Sequence, residues 1–256
     1  MPKRDKTERR GSTTELERFL EGVGVPKSSE FVPDDFQLLA VELVTEHDLD
    51  VLVSAPTGSG KTWIAIEAMK RILQAGNKAW YTTPLKALSN DKFREFSSLF
   101  GGENVGILTG ERKVNPAANL IVATTEIYRN ALYDAMNTLE PLNIRLVVLD
   151  EVHYLADRGR GVVWEEAIIY SPATTRMLML SATVGNAQEL ADWVSWARGS
   201  KCRLVIHTKR PVPMRSGFIT PEGALVPLFK KGTLHPEVLR ICEESRQKRS
   251  DDRGRY

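Results

Sequence analysis

Cysteine is scarce: Cys202 and Cys242 are the only two in 256 residues. Neither stands at a metal-ligating spacing, and two thiols make no disulfide framework, so a stapled scaffold is excluded and a reducing cytoplasm fits. Histidine is equally thin, and His47, His153, His207 and His235 form no cluster in sequence. No apolar run approaches the roughly 20 residues that cross a bilayer, so no membrane partner is expected. Met1 to Gly11 is charged and lacks the apolar stretch of a secretory signal. Charge of one sign is missing too, since 35 Lys and Arg face 33 Asp and Glu. Bulk charge therefore argues for no polyanionic partner, and any basic path must be local.

What is present is an apolar fraction of 42%, enough for a sizeable core, arranged in two alternating periods. Residues 1–14 read as a flexible basic tail. Leu16, Phe19 and Leu20 mark a short helix, and Val23 to Pro33 a loop. Asp34 or Asp35 caps a helix that buries Phe36, Leu39, Ala40, Leu43 and Val44. Short apolar strands follow at 50–55, 78–83, 104–108, 119–124, 144–149, 176–180 and 202–206. Helical stretches fall between them at 63–75, 86–99, 126–136, 161–170 and 187–196. Such alternation predicts an α/β fold: a mostly parallel sheet with helices on both faces. Ligands in such sheets bind beyond the carboxyl ends of the strands. After Ile206 the alternation stops. Leu225 to Leu228 reads as one more strand, and the charged stretch from Glu243 to Tyr256 as a frayed end or linker.

The strongest local signal is Ala55-Pro56-Thr57-Gly58-Ser59-Gly60-Lys61-Thr62. It matches the phosphate-binding loop pattern, with Ala55 in place of the first glycine, and it lies between a strand and a helix as the pattern requires. The backbone amides of Thr57, Gly58, Ser59 and Gly60, with the helix N-terminus, are suited to phosphate oxygens. Lys61 is placed for the β and γ phosphates, and the Thr62 hydroxyl for Mg²⁺. The bland alternative is a glycine-rich turn with a solvated lysine; the strand and helix around it favour nucleotide.

Asp150-Glu151-Val152-His153 follows the strand ending at Leu149. A carboxylate at the end of a buried strand is costly unless paired or bound to metal. Asp150 suits a Mg²⁺ contact, and Glu151 the group that orients or deprotonates an attacking water. Taken alone, each acid could be a strand-end cap or ion pair; beside a phosphate loop, the catalytic reading is stronger. His153 is read as a hydrogen-bonding relay towards Ser181 or a partner domain.

These motifs and their order resemble the first RecA-like P-loop domain of superfamily 2 DExH-box helicases, and within them the Ski2-like group of Mtr4/Ski2 type. The resemblance runs from about Phe31 to Pro213. It implies ATP and Mg²⁺ as cofactors and single-stranded nucleic acid as partner. Phe31 would stack on adenine and Gln37 bond its edge. Ser181-Ala182-Thr183 resembles the motif that couples nucleotide state to strand grip, assigning coupling roles to Ser181 and Thr183. The stretch Thr83-Pro84-Leu85-Lys86-Ala87-Leu88-Ser89-Asn90, then Thr109-Gly110-Glu111, then Thr124-Thr125-Glu126 resemble the strand-holding motifs. That assigns Pro84, Lys86, Ser89, Asn90, Thr109, Gly110, Thr125 and Glu126 to nucleic-acid phosphates, contacts that read no bases. Plain N-capping or helix packing is the alternative for Ser89, Thr124 and Thr125. The run Asp157 to Glu166 resembles the Mtr4-type stretch beside the acidic motif. It directs attention to Arg160, near the phosphates or holding that motif, and favours RNA over DNA, with RNA-decay or processing partners.

The expected organisation is a tail (1–14), a RecA-like ATP-binding domain (15–208), and an exit segment (209–256) leading to a second RecA-like domain of the same polypeptide that is absent here. The chain is expected to belong to a longer 3′–5′ RNA helicase and to hydrolyse ATP very slowly alone. Arginines from a second domain can be worth ~10³–10⁵ in turnover. A DNA helicase of the same group, and a hydrolysis-poor scaffold module, are the rival expectations.

Overall fold

In the computed structural model the described residues are 17–21, 31–140, 142–157, 159–210 and 214–253, with side chains described as far as 246. The basic tail 1–14, most of the expected loop from Val23, and the Pro211–Pro213 exit segment lie outside them. The chain divides into a larger compact unit, Val32–Pro211, and a smaller one drawn from Met1–Phe31 and Val212–Tyr256.

The larger unit opens with α1 (Asp35–Thr45) and alternates thereafter: β1 (Asp50–Ser54), α2 (Lys61–Gln74), β2 (Ala79–Thr83), α3 (Lys86–Phe100), β3 (Val105–Leu108), β4 (Lys113–Val114), β5 (Leu120–Thr124), α4 (Thr125–Thr138), β6 (Leu146–Leu149), α5 (Gly161–Tyr170), β7 (Arg176–Ser181), α6 (Ala187–Arg198) and β8 (Cys202–Ile206). The eight strands form one sheet in the order β4-β3-β5-β2-β6-β7-β1-β8. Every pairing is parallel except that of the two-residue strand β4 with β3.

The period-2 pleat explains why these strands read as unbroken apolar runs. Val51, Val53, Tyr81, Val122, Val148, Leu178 and Leu180 face a layer made by α1, α2 and α3. Leu52, Trp80, Ile121, Val147, Leu149, Met177 and Met179 face the layer of α4, α5 and α6. Both faces are therefore buried, as the α/β reading requires.

Some local expectations shift. On α1 the buried stripe is Phe36, Gln37, Ala40, Val41 and Val44, whereas Leu39 is 46% exposed. The helix is rotated so that Gln37 faces the loop after β1. On α5, Trp164 and Ile168 are buried with Ala167, but Ile169 is 47% exposed, because it lies 500° rather than 400° of helical rotation from Trp164. Gly76 ends α2 with φ 75° as expected.

In the smaller unit, residues 17–20 are helical. β9 (Gly217–Ile219) pairs antiparallel with β10 (Leu225–Pro227), and β11 (Phe229–Lys230) with β12 (Thr233–Leu234). The last strand expected from sequence thus belongs to a hairpin, not to the main sheet. Pro236–Arg253 is a helix, α7, where a frayed end or linker was expected. Its i,i+4 pair Arg240–Glu244, at 3.3 Å, is the kind that supports an otherwise polar helix. Among the described residues, no helix is long and apolar enough to cross a membrane.

Candidate functional site

Because β1, β7 and β6 are parallel neighbours in that order, the segments that follow them emerge at one edge. β1 leads into the glycine-rich loop, β6 into Asp150-Glu151, and β7, between them, into Ser181-Ala182-Thr183. The Ala55 N–H donates to the Ser181 carbonyl at 3.2 Å, tying the loop to the third segment.

The loop holds its shape by internal bonds. The Ser59 N–H and Oγ both donate to the Pro56 carbonyl, at 3.2 and 2.7 Å. Gly58 and Gly60 have φ of 84° and 76°, the left-handed region that glycine enters without a Cβ penalty. Thr57 and Gly58 are exposed at the tip and Ser59 is buried. Lys61 folds back across the loop, its Nζ donating to the Ala55 and Pro56 carbonyls at 2.8 and 3.1 Å. Burial pushes the Lys61 ammonium down, and the negative charges of Glu151 and Asp150 oppose that shift. The lysine of the first motif thus feels both acids of the second.

Gln37 braces the loop from α1. Its Oε1 accepts the Asp34 N–H at 2.7 Å, and its Nε2 donates to the Ser59 and Gly60 carbonyls at 3.1 and 3.2 Å. Both amide protons are taken by protein, so only the second lone pair of Oε1 is left for an adenine amino group. Phe31 is 58% exposed and belongs to the smaller unit.

Asp150 continues the sheet, its N–H donating to the Thr82 carbonyl at 3.0 Å. Its carboxylate accepts the Tyr81 hydroxyl on Oδ2 at 2.5 Å and the Glu151 N–H on Oδ1 at 2.9 Å. Burial raises the Asp150 carboxyl above its ordinary value, against these two bonds and the charges of Lys92 and Lys61. Glu151 sits at φ 54°, ψ 43°, left-handed backbone for a residue with a Cβ, the kind of local strain that clusters at functional positions. His153 Nδ1 lies 3.3 Å from Glu151 Oε2 but without hydrogen-bonding geometry. The expected bond from His153 to Ser181 is not formed: Ser181 Oγ is buried and has no partner among the described residues. Ser181 is wholly buried at the end of β7, inside the sheet, while His153 Nδ1 lies beside Glu151.

The donor set fits Mg²⁺. Thr62 Oγ1 and the Asp150 carboxylate are hard oxygens, and a cation, Lys92 Nζ, already stands 3.5 Å from Thr62 Oγ1. Among the described residues, no group of three or more His, Cys, Asp or Glu could cage a metal alone.

β2, β5 and β3 carry the strand-holding candidates to the other half of the same edge. Ser89 and Thr125 are buried, and their hydroxyls are engaged internally: Ser89 Oγ with Thr83 Oγ1 at 2.8 Å, Thr125 Oγ1 with the Thr83 carbonyl at 3.3 Å. They shape the turn after β2, so a phosphate there would meet backbone amides rather than these hydroxyls. Thr124, at the N-cap of α4, makes no side-chain cap bond. Pro84 is buried, Lys86 and Gly110 are exposed, and Thr109, Asn90 and Glu126 are half-buried. Lys86 pairs with the Glu111 carboxylate, and Asn90 Oδ1 accepts Arg112 Nη1 at 2.9 Å.

Behind Asp150-Glu151, the short 3₁₀ segment Val152–Ala156 is welded to α5. The Asp157 carboxylate accepts the Gly159 and Arg160 N–H groups at 2.9 and 3.0 Å. Tyr154 stacks on Trp164, rings 5.9 Å apart. The Arg160 side chain is exposed and bonds no described residue; it is the Arg160 backbone N–H that is held, by Asp157.

Three residues at this edge escape sequence reading. Tyr81 reads only as a strand residue, though a hydroxyl inside an apolar strand is a signal. Lys92 reads as helix surface, and so does Arg112, which stacks on Phe93 at 4.8 Å.

A parallel sheet with a phosphate loop after one strand, and an acid pair after a strand one place removed, defines the class of RecA-like P-loop domains. Residues 34–190 match the family model described as DEAD/DEAH box helicase, and the chain belongs to that family, in its Ski2-like, Mtr4-related branch. It is 44% identical over 234 residues to the DExH-box ATP-dependent RNA helicase DExH15 chloroplastic of Arabidopsis thaliana, covering 88% of this chain and 20% of that protein. It is 47% identical over 184 residues to the probable helicase HelY of Mycobacterium leprae, covering 72% and 20%. With the antiviral helicase SKI2 of Saccharomyces cerevisiae it shares 38% over 219 residues, covering 85% and 17%. The chain thus spans about a fifth of the length of these relatives. Among solved structures, the DUF1998 helicase MrfA bound to DNA superposes with a TM-score of 0.54 at 21% identity, over 81% of this chain and 30% of that one; the likeness is one of fold.

Proposed function

We propose that the protein is an ATP-driven motor on single-stranded nucleic acid, with RNA as its substrate, and that this chain supplies one wall of the ATP site and part of the strand track. The observation that carries the reading is the gathering of Lys61, Thr62, Asp150 and Glu151 at the edge where β1 and β6 end, with the strand-holding candidates along the same edge. RNA is supported by relatives named as RNA helicases, DExH15 and DExH9 of Arabidopsis thaliana.

In this reading the loop amides and the N-terminus of α2 bind the phosphates. Lys61 exchanges its two carbonyl partners for β and γ oxygens. Thr62 and Asp150 would hold Mg²⁺, which when bound would supply neutralisation of the phosphate charge. Glu151 accepts a proton from the water that attacks the γ-phosphate. A second RecA-like domain closes the site and adds arginines. Closure tightens the grip on the strand, because ATP favours whichever state it binds better.

The test is ATP turnover by the full-length protein with matched single-stranded RNA or DNA, using Lys61→Ala as the blank. Stimulation by RNA, lost in the blank, is the expected result. Stimulation by DNA alone would overturn the RNA assignment, and no stimulation by either would overturn the motor.

A further inference from the structure

Tyr81 stands in the middle of β2, opposite Val148 of β6. Its side chain is fully buried, and its ring meets Phe96 edge-on at 4.9 Å. A phenol in that position must find an acceptor or forfeit the cost of its desolvation. The acceptor is Asp150 Oδ2, at 2.5 Å. The length is that of a charge-assisted O–H···O⁻ bond. The Glu151 N–H holds the other oxygen at 2.9 Å. Each carboxylate oxygen therefore has one fixed donor and keeps a lone pair free, and rotation about the Cβ–Cγ bond is arrested from both sides.

We propose that Tyr81 is a positioning residue for the metal: a buried phenol that fixes the carboxylate plane of Asp150 so that its free lone pairs meet Mg²⁺ on the nucleotide. The inference rests on the reading of Asp150 as a metal ligand. It assigns no contact between Tyr81 and either metal or nucleotide. Donors that orient a ligating carboxylate typically govern metal affinity by about 10- to 100-fold.

The experiment titrates Mg²⁺ into the 256-residue protein holding a fluorescent ATP analogue, and reads the equilibrium signal rather than turnover. Tyr81→Phe keeps the ring and deletes the donor. Its half-saturating Mg²⁺ is expected to rise about 10-fold, with metal-free nucleotide binding unchanged. Phe96→Leu loosens the packing around the ring but keeps the hydroxyl. It is expected to lower the melting temperature and leave the Mg²⁺ curve in place. Asp150→Asn is expected to abolish the Mg²⁺ response. If Asp150→Asn responds to Mg²⁺ like the wild type, the metal-ligand reading itself fails. If Asp150→Asn loses the response while Tyr81→Phe matches the wild type, the positioning role is overturned. It is also overturned if Phe96→Leu shifts the curve as far as Tyr81→Phe does.

Discussion

Gly60 answers two demands at once. Its φ of 76° is left-handed, and a Cβ built there would lie 2.3 Å from Gln37 Nε2. Gly60→Ala should therefore strain the backbone and expel the amide that braces the loop. The expected result is a loss of nucleotide affinity at least as large as that of Gln37→Ala, measured by equilibrium titration; wild-type affinity would refute it. Glu151 carries a chemical prediction. Glu151→Gln removes the proposed base but keeps the shape, so turnover should drop by about 10²–10⁴ while ATP binding stays within a few-fold. Asp48 carries the pH prediction. It is held by Arg176 Nε at 2.8 Å and Arg145 Nη2 at 2.6 Å, chiefly the Arg176 bond keeping its carboxyl below the ordinary value. A depressed acid stabilises the fold above its unfolded pKa of about 3.9 and loses that contribution as pH falls toward the lower folded value. Urea unfolding of Asp48→Asn should show a stability gap from wild type at pH 7 that closes in strong acid. A gap that widens in acid would have the sign wrong.

At the scale of the element, the sheet divides its labour. β1, β7 and β6 end in the nucleotide candidates, and β2, β5 and β3 in the strand-holding ones. Changes in one half should therefore spare the other when no strand is bound. Lys86→Ala should lower the slope of log affinity against log salt by about 0.7 for a single strand, and leave ATP binding untouched without nucleic acid. The start of α5 is the second telling element. A Cβ on Gly161 would stand 2.3 Å from the Leu155 carbonyl, backbone that has nowhere to move between the acidic motif and the buried Trp164. Gly161→Ala is expected to cost about 1–3 kcal/mol in denaturant unfolding, and to slow turnover by shifting the segment that carries Glu151.

At the scale of the molecule, the amino ends of the strands are locked by one buried ion pair. Arg198 Nε donates to Asp50 Oδ2 at 2.7 Å, and both side chains are almost wholly enclosed. The guanidinium also donates to the carbonyls of Ile168, Ser171 and Thr175 at 3.2, 3.1 and 2.7 Å, and Asp50 Oδ1 accepts the Met177 N–H at 2.9 Å. β1, α5, β7 and α6 thus meet at a single charge pair, at the edge opposite the candidate site. Breaking a buried pair leaves an uncompensated charge, so Arg198→Met should lower stability by about 3–5 kcal/mol. Because the lock lies at the far edge, ATP affinity should hold at temperatures where the variant is folded. An affinity loss equal to that of Gly60→Ala would show that the two edges are coupled.

The linear order of residues determined most of the architecture. Strand and helix alternation, the glycine loop between a strand and a helix, and Asp150-Glu151 behind an apolar strand are all local patterns, because period, turn chemistry and motif spacing act over a few residues. That is why the parallel sheet, and the edge at which the two motifs meet, are legible in the sequence. What lay beyond reach depended on rotation and on partners distant in sequence. Leu39 and Ile169 face outward because a helix chooses its buried stripe against the sheet it meets. Thr125 spends its hydroxyl on Thr83, 42 positions away on the neighbouring strand. Gln37 and Gly60 constrain each other across 23 positions, and Tyr81 reaches Asp150 across 69. Asp50 and Arg198 stand 148 apart. Only the assembled sheet brings such groups within bonding distance, because burial forces each polar atom to take whichever partner the fold presents.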